Sequence, residues 1–224
     1  MATQTALQVV NKVLNKLRLS EVTTFSEDYT KALLVMLNET KREIEETWDW
    51  TMLRDTITVT TSNGVQQYAL TGMGERGHLL LDKWGRARVW DDTSDGVLLQ
   101  ISQDDMYTMT NSGTSQSGAP SYFSFEGMDS NGDPYVNFWP IPNGVFSIKF
   151  NVYAPQADLS ATTDVPQVPY WPLLLGTYSK AVWERGEDRG YAFENAEYNY
   201  KTALADAVAF DAMKTPGALE LSVG

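Results

Sequence analysis

The chain has 224 residues, of which 42% are hydrophobic and 12% aromatic, enough for a real core in one domain or two small ones. Its formal net charge of −12 argues against adhesion to nucleic acid or to an anionic membrane, since both need a cationic footprint. There is no cysteine, which excludes a disulfide framework and a Cys-based zinc site; no apolar run approaches the roughly 20 residues of a membrane span, and the first residues lack a signal-peptide pattern.

In chain order, Leu7, Val10, Val13, Leu14 and Leu17 recur at helical spacing and predict a first helix. Tyr29, Leu33, Leu37, Ile44 and Trp48 predict a second, with Ser26 as its cap. From Met52 the pattern changes to short β-rich runs: Thr56 to Thr60, an Asn63-Gly64 turn, Val65 to Leu70, Leu79 to Leu81, Arg86 to Trp90, and Val97 to Ile101. Ser102 caps a short predicted helix, and strands around Tyr122, Tyr135 and Phe146 complete this block. Trp139-Pro-Ile-Pro142 cannot continue a central strand, because proline lacks the ladder N–H, and Asn143-Gly144 reads as a tight hairpin turn with positive φ. Beyond it Phe146, Ile148, Phe150 and Val152 alternate with Ser147, Lys149, Asn151 and Tyr153, a strand with one buried face. After Val165-Pro-Gln-Val-Pro169, a helix is predicted over 173–185 with Pro172 near its first position, and a last one over about 188–213, ended by Pro216 and Gly217. Trp171 and Trp183 are expected in the helical core beside Trp48.

Helices at both ends can bury their apolar stripes only against each other, so the expected fold is α+β: an N- and C-terminal helical bundle with an inserted antiparallel β-sandwich or barrel. The expected boundaries are 1–51 and 165–213 for the bundle, 52–164 for the β domain and 214–224 for an extended tail.

No arrangement of residues points to catalysis, a metal or a cofactor. The lone histidine, His78, has no partner set for a triad or a multi-histidine centre. Asp129-Ser-Asn131-Gly-Asp133 imitates half a calcium loop, but Pro134 and Pro140 stand where its glycine and closing glutamate belong, so a polar hairpin turn is expected. Asp91-Asp92 would face opposite sides of a strand, and Asp104-Asp105 would be capping acids.

The succession of a helical pair ending in Trp48-Asp-Trp50, a β segment, Gly118-Ala-Pro-Ser-Tyr122, Trp139-Pro-Ile-Pro142-Asn-Gly, the 146–153 strand, Val165-Pro-Gln-Val-Pro169 and a final helical pair resembles the head-to-tail adaptor proteins of tailed bacteriophages. The likeness covers nearly the whole chain and rests on the order of features. Tyr68-Ala-Leu-Thr-Gly-Met-Gly departs from the Tyr-Pro-Leu-Pro-Asp-Phe-like stretch of such adaptors. The resemblance implies a non-enzymatic virion protein of the neck, assembled in the host cytoplasm as a homo-oligomeric ring of about twelve copies beneath the portal protein. It also implies a downstream tail or nozzle protein as a second partner, and the transient passage of double-stranded DNA. Leu219, Leu221 and Val223 are then candidates for binding the portal, and Trp84, Arg86, Arg88 and Trp90 for meeting the tail. Glu39, Glu43, Glu45 and Glu46 are candidates for an exposed acidic face on the channel, where like charge keeps DNA from sticking. The alternative from another class is a carbohydrate-binding β-sandwich with Trp84, Trp90 and Trp139 as stacking platforms.

Overall fold

A computed structural model describes residues 4–82, 84–112, 116–186 and 191–214. It is α+β and divides into two units: Met1–Leu53 with Gln156–Gly224, and Arg54–Pro155. The first contains α1 (Ala6–Lys16), α2 (Asp28–Thr47), α4 (Tyr170–Arg185) and α5 (Tyr191–Ala212). The second contains α3 (Gln103–Asn111) and ten strands: β1 (Arg54–Thr60), β2 (Gln67–Ala69), β3 (His78–Leu79), β4 (Val89–Asp91), β5 (Gly96–Gln100), β6 (Ser117–Gly118), β7 (Tyr122–Met128), β8 (Pro134–Trp139), β9 (Ile141–Pro142) and β10 (Ser147–Tyr153).

The helical unit starts from a capping box, in which the Thr5 hydroxyl accepts the Gln8 N–H and the Gln8 side chain accepts the Thr5 N–H. Val10, Val13 and Leu14 of α1 and Leu33, Leu37 and Ile44 of α2 are buried, as their spacing predicts; Val9 is buried as well, while Leu7 and Leu17 are half-buried. The α2 start differs from expectation: Glu27 holds the cap position, its carbonyl accepts the Thr30 hydroxyl at 2.7 Å, and Ser26 pairs with the Thr24 hydroxyl instead.

Helix α4 packs against α1, α2 and α5, burying Leu173 and Leu174 together with the small residues Gly176, Thr177, Ser179 and Ala181. A Cβ at Gly176 would stand 2.5 Å from Thr40 Cγ2 and 2.9 Å from Tyr200 Cε2, so α2, α4 and α5 approach as closely as a bare backbone allows. That closeness overturns the expected tryptophan core. Trp171 and Trp183, on the wider sides of α4, are 55% and 70% exposed, and Trp48 is half-buried. The buried indole is Trp50, 1% exposed, whose Nε1 donates to the Ile44 carbonyl at 2.7 Å.

Two buried carboxylates fix the chain where it leaves and re-enters this unit. Asp211 accepts the Thr51 N–H at 2.8 Å, the Thr51 hydroxyl at 2.6 Å and Trp48 Nε1 at 3.2 Å. Lys41 and Glu45, whose side chains are both fully buried, form an ion pair at 3.0 Å; Lys41 also donates to the Gln156 carbonyl at 2.6 Å, and Glu45 accepts the Gln156 N–H at 3.2 Å.

In the second unit the strands form an eight-stranded, nearly closed barrel-like sheet in the order β1-β10-β4-β5-β7-β8-β2, with β3 also on β10. It is not wholly antiparallel: β5 runs parallel to β7, and the separate β6–β9 pair is parallel. Ile148, Phe150 and Val152 alternate into the core as predicted, where Phe123 meets Phe150 edge-on at 5.6 Å. Tyr153 is buried rather than outward, stacked on His78 at 5.0 Å between ring centres.

The expected hairpin across Asn143-Gly144 does not form. Strands β8 and β10 stand in one sheet with β7, β5 and β4 between them, and Gly144 is not among the positive-φ glycines. Pro140 ends the ladder of β8, and Ile141-Pro142 then pairs with Ser117-Gly118, drawing the chain away from β8. Asn63-Gly64 does turn with positive φ, at 78° for Gly64, but β1 and β2 lie at opposite edges of the sheet. The polar turn at 129–133 joins the antiparallel pair β7 and β8 as predicted.

Gly176→Ala tests the close helix contact. Alanine gains about 1 kcal/mol of helix propensity, yet its methyl group has no room, and we expect a net loss of about 1–3 kcal/mol in thermal or urea melts. An unchanged or raised midpoint would contradict the packing.

Candidate functional site

The β unit exposes an apolar and cationic patch that a single carboxylate organises. Leu81 and Ala87 form an isolated antiparallel bridge, and the Asp82 N–H donates to the Arg86 carbonyl at 2.8 Å, closing a tight loop. Inside it Asp82 Oδ1 accepts the N–H groups of Trp84 at 2.8 Å and Arg86 at 3.0 Å. Its Oδ2 accepts Arg88 Nε at 3.1 Å, with Arg86 Nη2 at 3.6 Å. Burial pushes the Asp82 carboxyl up, but the Arg86 and Trp84 N–H groups and the Arg88 guanidinium outweigh it and hold it below the ordinary value. Trp84, Arg86 and Arg88 are thus each tied to Asp82 with their side chains out, Trp84 65% exposed.

Next to the loop, Trp90 on β4 faces Val97 on β5 in register, and Leu99 follows on the same outward face of the pleat. These three are exposed while Val89, Asp91 and Leu98 point inward. A cavity of about 350 Å³ joins the arginine loop to this face. Of the four residues expected to meet the tail, Arg86, Arg88 and Trp90 line this cavity, while Trp84 joins them through its backbone N–H on Asp82. The structure adds Val97 and Leu99, which read in sequence as ordinary strand residues, and Asp82, whose position three residues before Gly85 was the available turn signal.

The helical unit has its own apolar surface. A groove of about 520 Å³ runs between the first turns of α4 and the last turns of α5, lined mainly by Trp50, Tyr170, Trp171, Leu175, Ala207 and Phe210. Met52, Phe210 and Met213 are exposed at or beside it, at 50%, 70% and 71%. Asp211 and Lys214 form its polar end, paired at 2.9 Å. Burial raises the Asp211 pKa, but the Thr51 hydroxyl and N–H and the Lys214 ammonium overcome it, and the carboxyl is held below the usual range.

The four acidic candidates do not share one free face. Glu45 is buried in its pair with Lys41, because an i,i+4 Glu/Lys spacing that reads as a surface pair here meets the returning chain at Gln156. Glu43 and Glu39 are exposed but engage Lys180 of α4 at 2.7 and 3.5 Å, which keeps that lysine's pKa raised despite its partial burial. Glu46 is exposed. Leu219, Leu221 and Val223 lie outside the described residues. Trp139 is 6% exposed, so it cannot serve as a stacking platform beside Trp84 and Trp90.

The carboxylates that resembled chemistry serve the backbone. Asp129 Oδ1 accepts the N–H groups of Asn131 and Asp133, and Asp133 accepts those of Gly72 and Gly74. Asp91 holds the Thr93 N–H and the Ser94 hydroxyl. Asp105 accepts the Ser102 hydroxyl at the α3 cap. Among the described residues no group of three or more His, Asp or Glu side chains is placed to hold a metal ion, and no helix is long and apolar enough to cross a membrane.

Two outcomes are expected. Asp82→Asn removes the charge that gathers the loop, so limited trypsin cleavage after Arg86 and Arg88 should accelerate while the thermal midpoint of the chain stays put; unchanged cleavage would show that Asp82 does not order the loop. Asp211→Asn should lose about 1.5–3 kcal/mol at neutral pH. Because the folded pKa lies below the unfolded value near ~3.9, that difference is present above this value and vanishes as the pH falls through the folded one. A difference that persists in acid would contradict the charge-assisted bonds.

Residues 4–219 match the family model described as SU10 adaptor protein. No curated protein sequence matches the chain. The family match spans both units, the inserted β strands as well as the helices drawn from the two ends, and on that span the chain belongs to the SU10 adaptor family and is a phage head–tail adaptor protein.

Proposed function

We propose that this phage structural protein forms a ring beneath the portal, linking the capsid to the tail and contributing to the wall of the DNA channel. In this reading the helices α1, α2, α4 and α5 form the bundle that makes the ring and meets the portal. The β unit meets the downstream tail or nozzle protein through Trp84, Arg86, Arg88 and Trp90.

The observation that carries the reading is the presence of a separate apolar surface on each unit of an adaptor-family chain. Large apolar side chains gathered in patches usually mark surfaces that a partner covers. The β unit exposes Leu81, Trp84, Trp90, Val97 and Leu99, and the groove of the helical unit exposes Met52, Trp171 and Phe210. An adaptor has two jobs of contact, one with its own ring and the portal, the other with the tail. Two patches of different chemistry suit that division: aromatic rings with paired arginines on the β unit, and a mainly apolar groove with an Asp211–Lys214 pair at one end on the helical one. Tryptophan and arginine are the residues that dominate binding hot spots.

The net charge of −12 suits a channel through which DNA passes without adhering. Glu39, Glu43 and Glu46 are the residues proposed for that wall. Glu45 is not, since it is buried.

Mixing the purified chain with its genomic portal neighbour tests the proposal directly. Native mass spectrometry or electron microscopy should show closed rings of the chain bound to portal, and Trp84→Ala with Trp90→Ala should leave that ring intact while abolishing capture of the next tail protein. Failure to associate with the portal would refute it.

A further inference from the structure

A helix laid on a sheet ordinarily buries an apolar stripe against it. Helix α3 does not follow this rule. Gln103, Met106, Tyr107, Thr110 and Asn111 recur at the spacing that brings them to one side of the helix, and among them only Met106 is buried, at 3% exposure. The strands beneath are polar on this side as well. Phe123, Val136 and Phe138 point into the barrel core, which leaves Ser124 and Glu126 of β7 and Asn137 of β8 on the outer face, with Asn137 in register between Ser124 and Gln67 of β2. Helix and sheet therefore enclose a polar cavity of about 290 Å³ in place of a second core, at the small end of the range for ligand sites.

The floor of the cavity is rich in acceptors. The Tyr107 hydroxyl donates to Glu126 Oε1 at 2.8 Å, and Asn137 Nδ2 donates to Glu126 Oε2. The Tyr107 hydroxyl first and the Asn137 amide second hold the Glu126 carboxyl below its ordinary value, so at neutral pH it is ionised and only accepts, with lone pairs to spare. Asn137 is 6% exposed and lines the cavity, yet among the described residues its Oδ1 accepts no hydrogen bond. The buried Ser124 hydroxyl beside it has no partner either. A buried polar group left unpaired is a net cost to the fold, which a ligand's donor would remove. At the rim Gln67 and Asn111 hold exposed amides, and the Tyr107 ring is 52% exposed. No described lysine or arginine lines the cavity, so nothing there would hold an anion, and a single carboxylate with both oxygens engaged is a poor seat for a metal ion.

We propose that the cavity under α3 binds a neutral saccharide, with the hydroxyls of a pyranose ring on Glu126, Asn137 and the amides of Gln67 and Asn111, and its C–H face against the Tyr107 ring. A hydroxyl both donates and accepts, which suits a wall that combines a carboxylate and a free amide oxygen with amide N–H groups. A cationic side chain would use the acceptors and leave those N–H groups idle. The apolar face of the sugar answers to the exposed side of an aromatic ring. This site goes beyond the adaptor reading and does not depend on it.

Saturation-transfer NMR on the full chain tests it, with the methyl pyranosides of glucose, galactose, mannose and N-acetylglucosamine as probes at millimolar concentration. At least one of them should receive saturation at its ring protons. Gln67→Ala and Asn111→Ala, both exposed and outside the core, should each weaken that binding by up to about tenfold while the thermal midpoint stays put. Tyr107→Ala should abolish the transfer, and Trp84→Ala with Trp90→Ala should leave it intact. Silence from every pyranoside overturns the proposal, as does binding that survives the three cavity variants. Binding lost only in the Trp84 and Trp90 variant also overturns it and assigns the sugar to the arginine patch. Capture of arginine amide in place of every pyranoside overturns it too, and gives the cavity to a cationic side chain. Neither portal nor tail protein enters the measurement, so its failure and a failure of portal binding are separately visible.

Discussion

The ion pair between Lys41 and Glu45 is the constraint on which the helical unit depends. Both side chains are fully removed from water, and a charge in that position is tolerated only with an opposite charge and further hydrogen bonds. Gln156 supplies such bonds with its own N–H and carbonyl, so the pair and the chain returning from the β strands hold one another in place. Asp211 plays the matching part at the departure, where its carboxylate takes the Thr51 N–H and hydroxyl. Each end of the inserted segment is thereby tied to a helix from elsewhere in sequence, and the interruption of the helical unit by about a hundred residues costs it no definition.

Short carboxylates recur as backbone ligands throughout. Asp82, Asp91, Asp129, Asp133 and Asp164 each accept one or more loop N–H groups. An Asx side chain imitates a turn of backbone, which lets tight loops form without regular pairing. A hydrogen bond from a backbone N–H does not cancel a carboxylate's charge, so these residues shape loops and still contribute to the field around the molecule. The same device holds the backbone of Trp84 and Arg86 while their side chains stay exposed.

Much of this was legible in the sequence, for physical reasons that differ by element. Strand β10 announced itself because one face is buried and the side-chain period is two, and α1 and α2 because their apolar stripes are narrow and regular. The order of strands was not legible. Neighbours in a sheet are chosen by contacts far apart in sequence, and the stretch after Trp139 looks like a local turn until the pairing of Ile141 with Ser117 is known. The tryptophans of α4 misled for a related reason: hydrophobicity alone favours burying the largest ring, but α4 buries Leu173, Leu174, Gly176, Thr177, Ser179 and Ala181, with α2 and α5 closest at Gly176, and leaves Trp171 and Trp183 outside. Of the site residues, the Trp84 to Trp90 cluster was visible as composition, whereas Asp82 and the groove exist only once chain segments are brought together.

Two covalent connections lead into the β unit, after Leu53 and before Gln156, and both are gripped within one or two residues by carboxylates buried among the helices. Tension applied to the β unit must therefore enter the helical unit at α2 and α5 through these grips, before it reaches any helix end that could unwind. For a head–tail adaptor this means that load entering through the β unit is shared between two anchorages seated in the body of the scaffold.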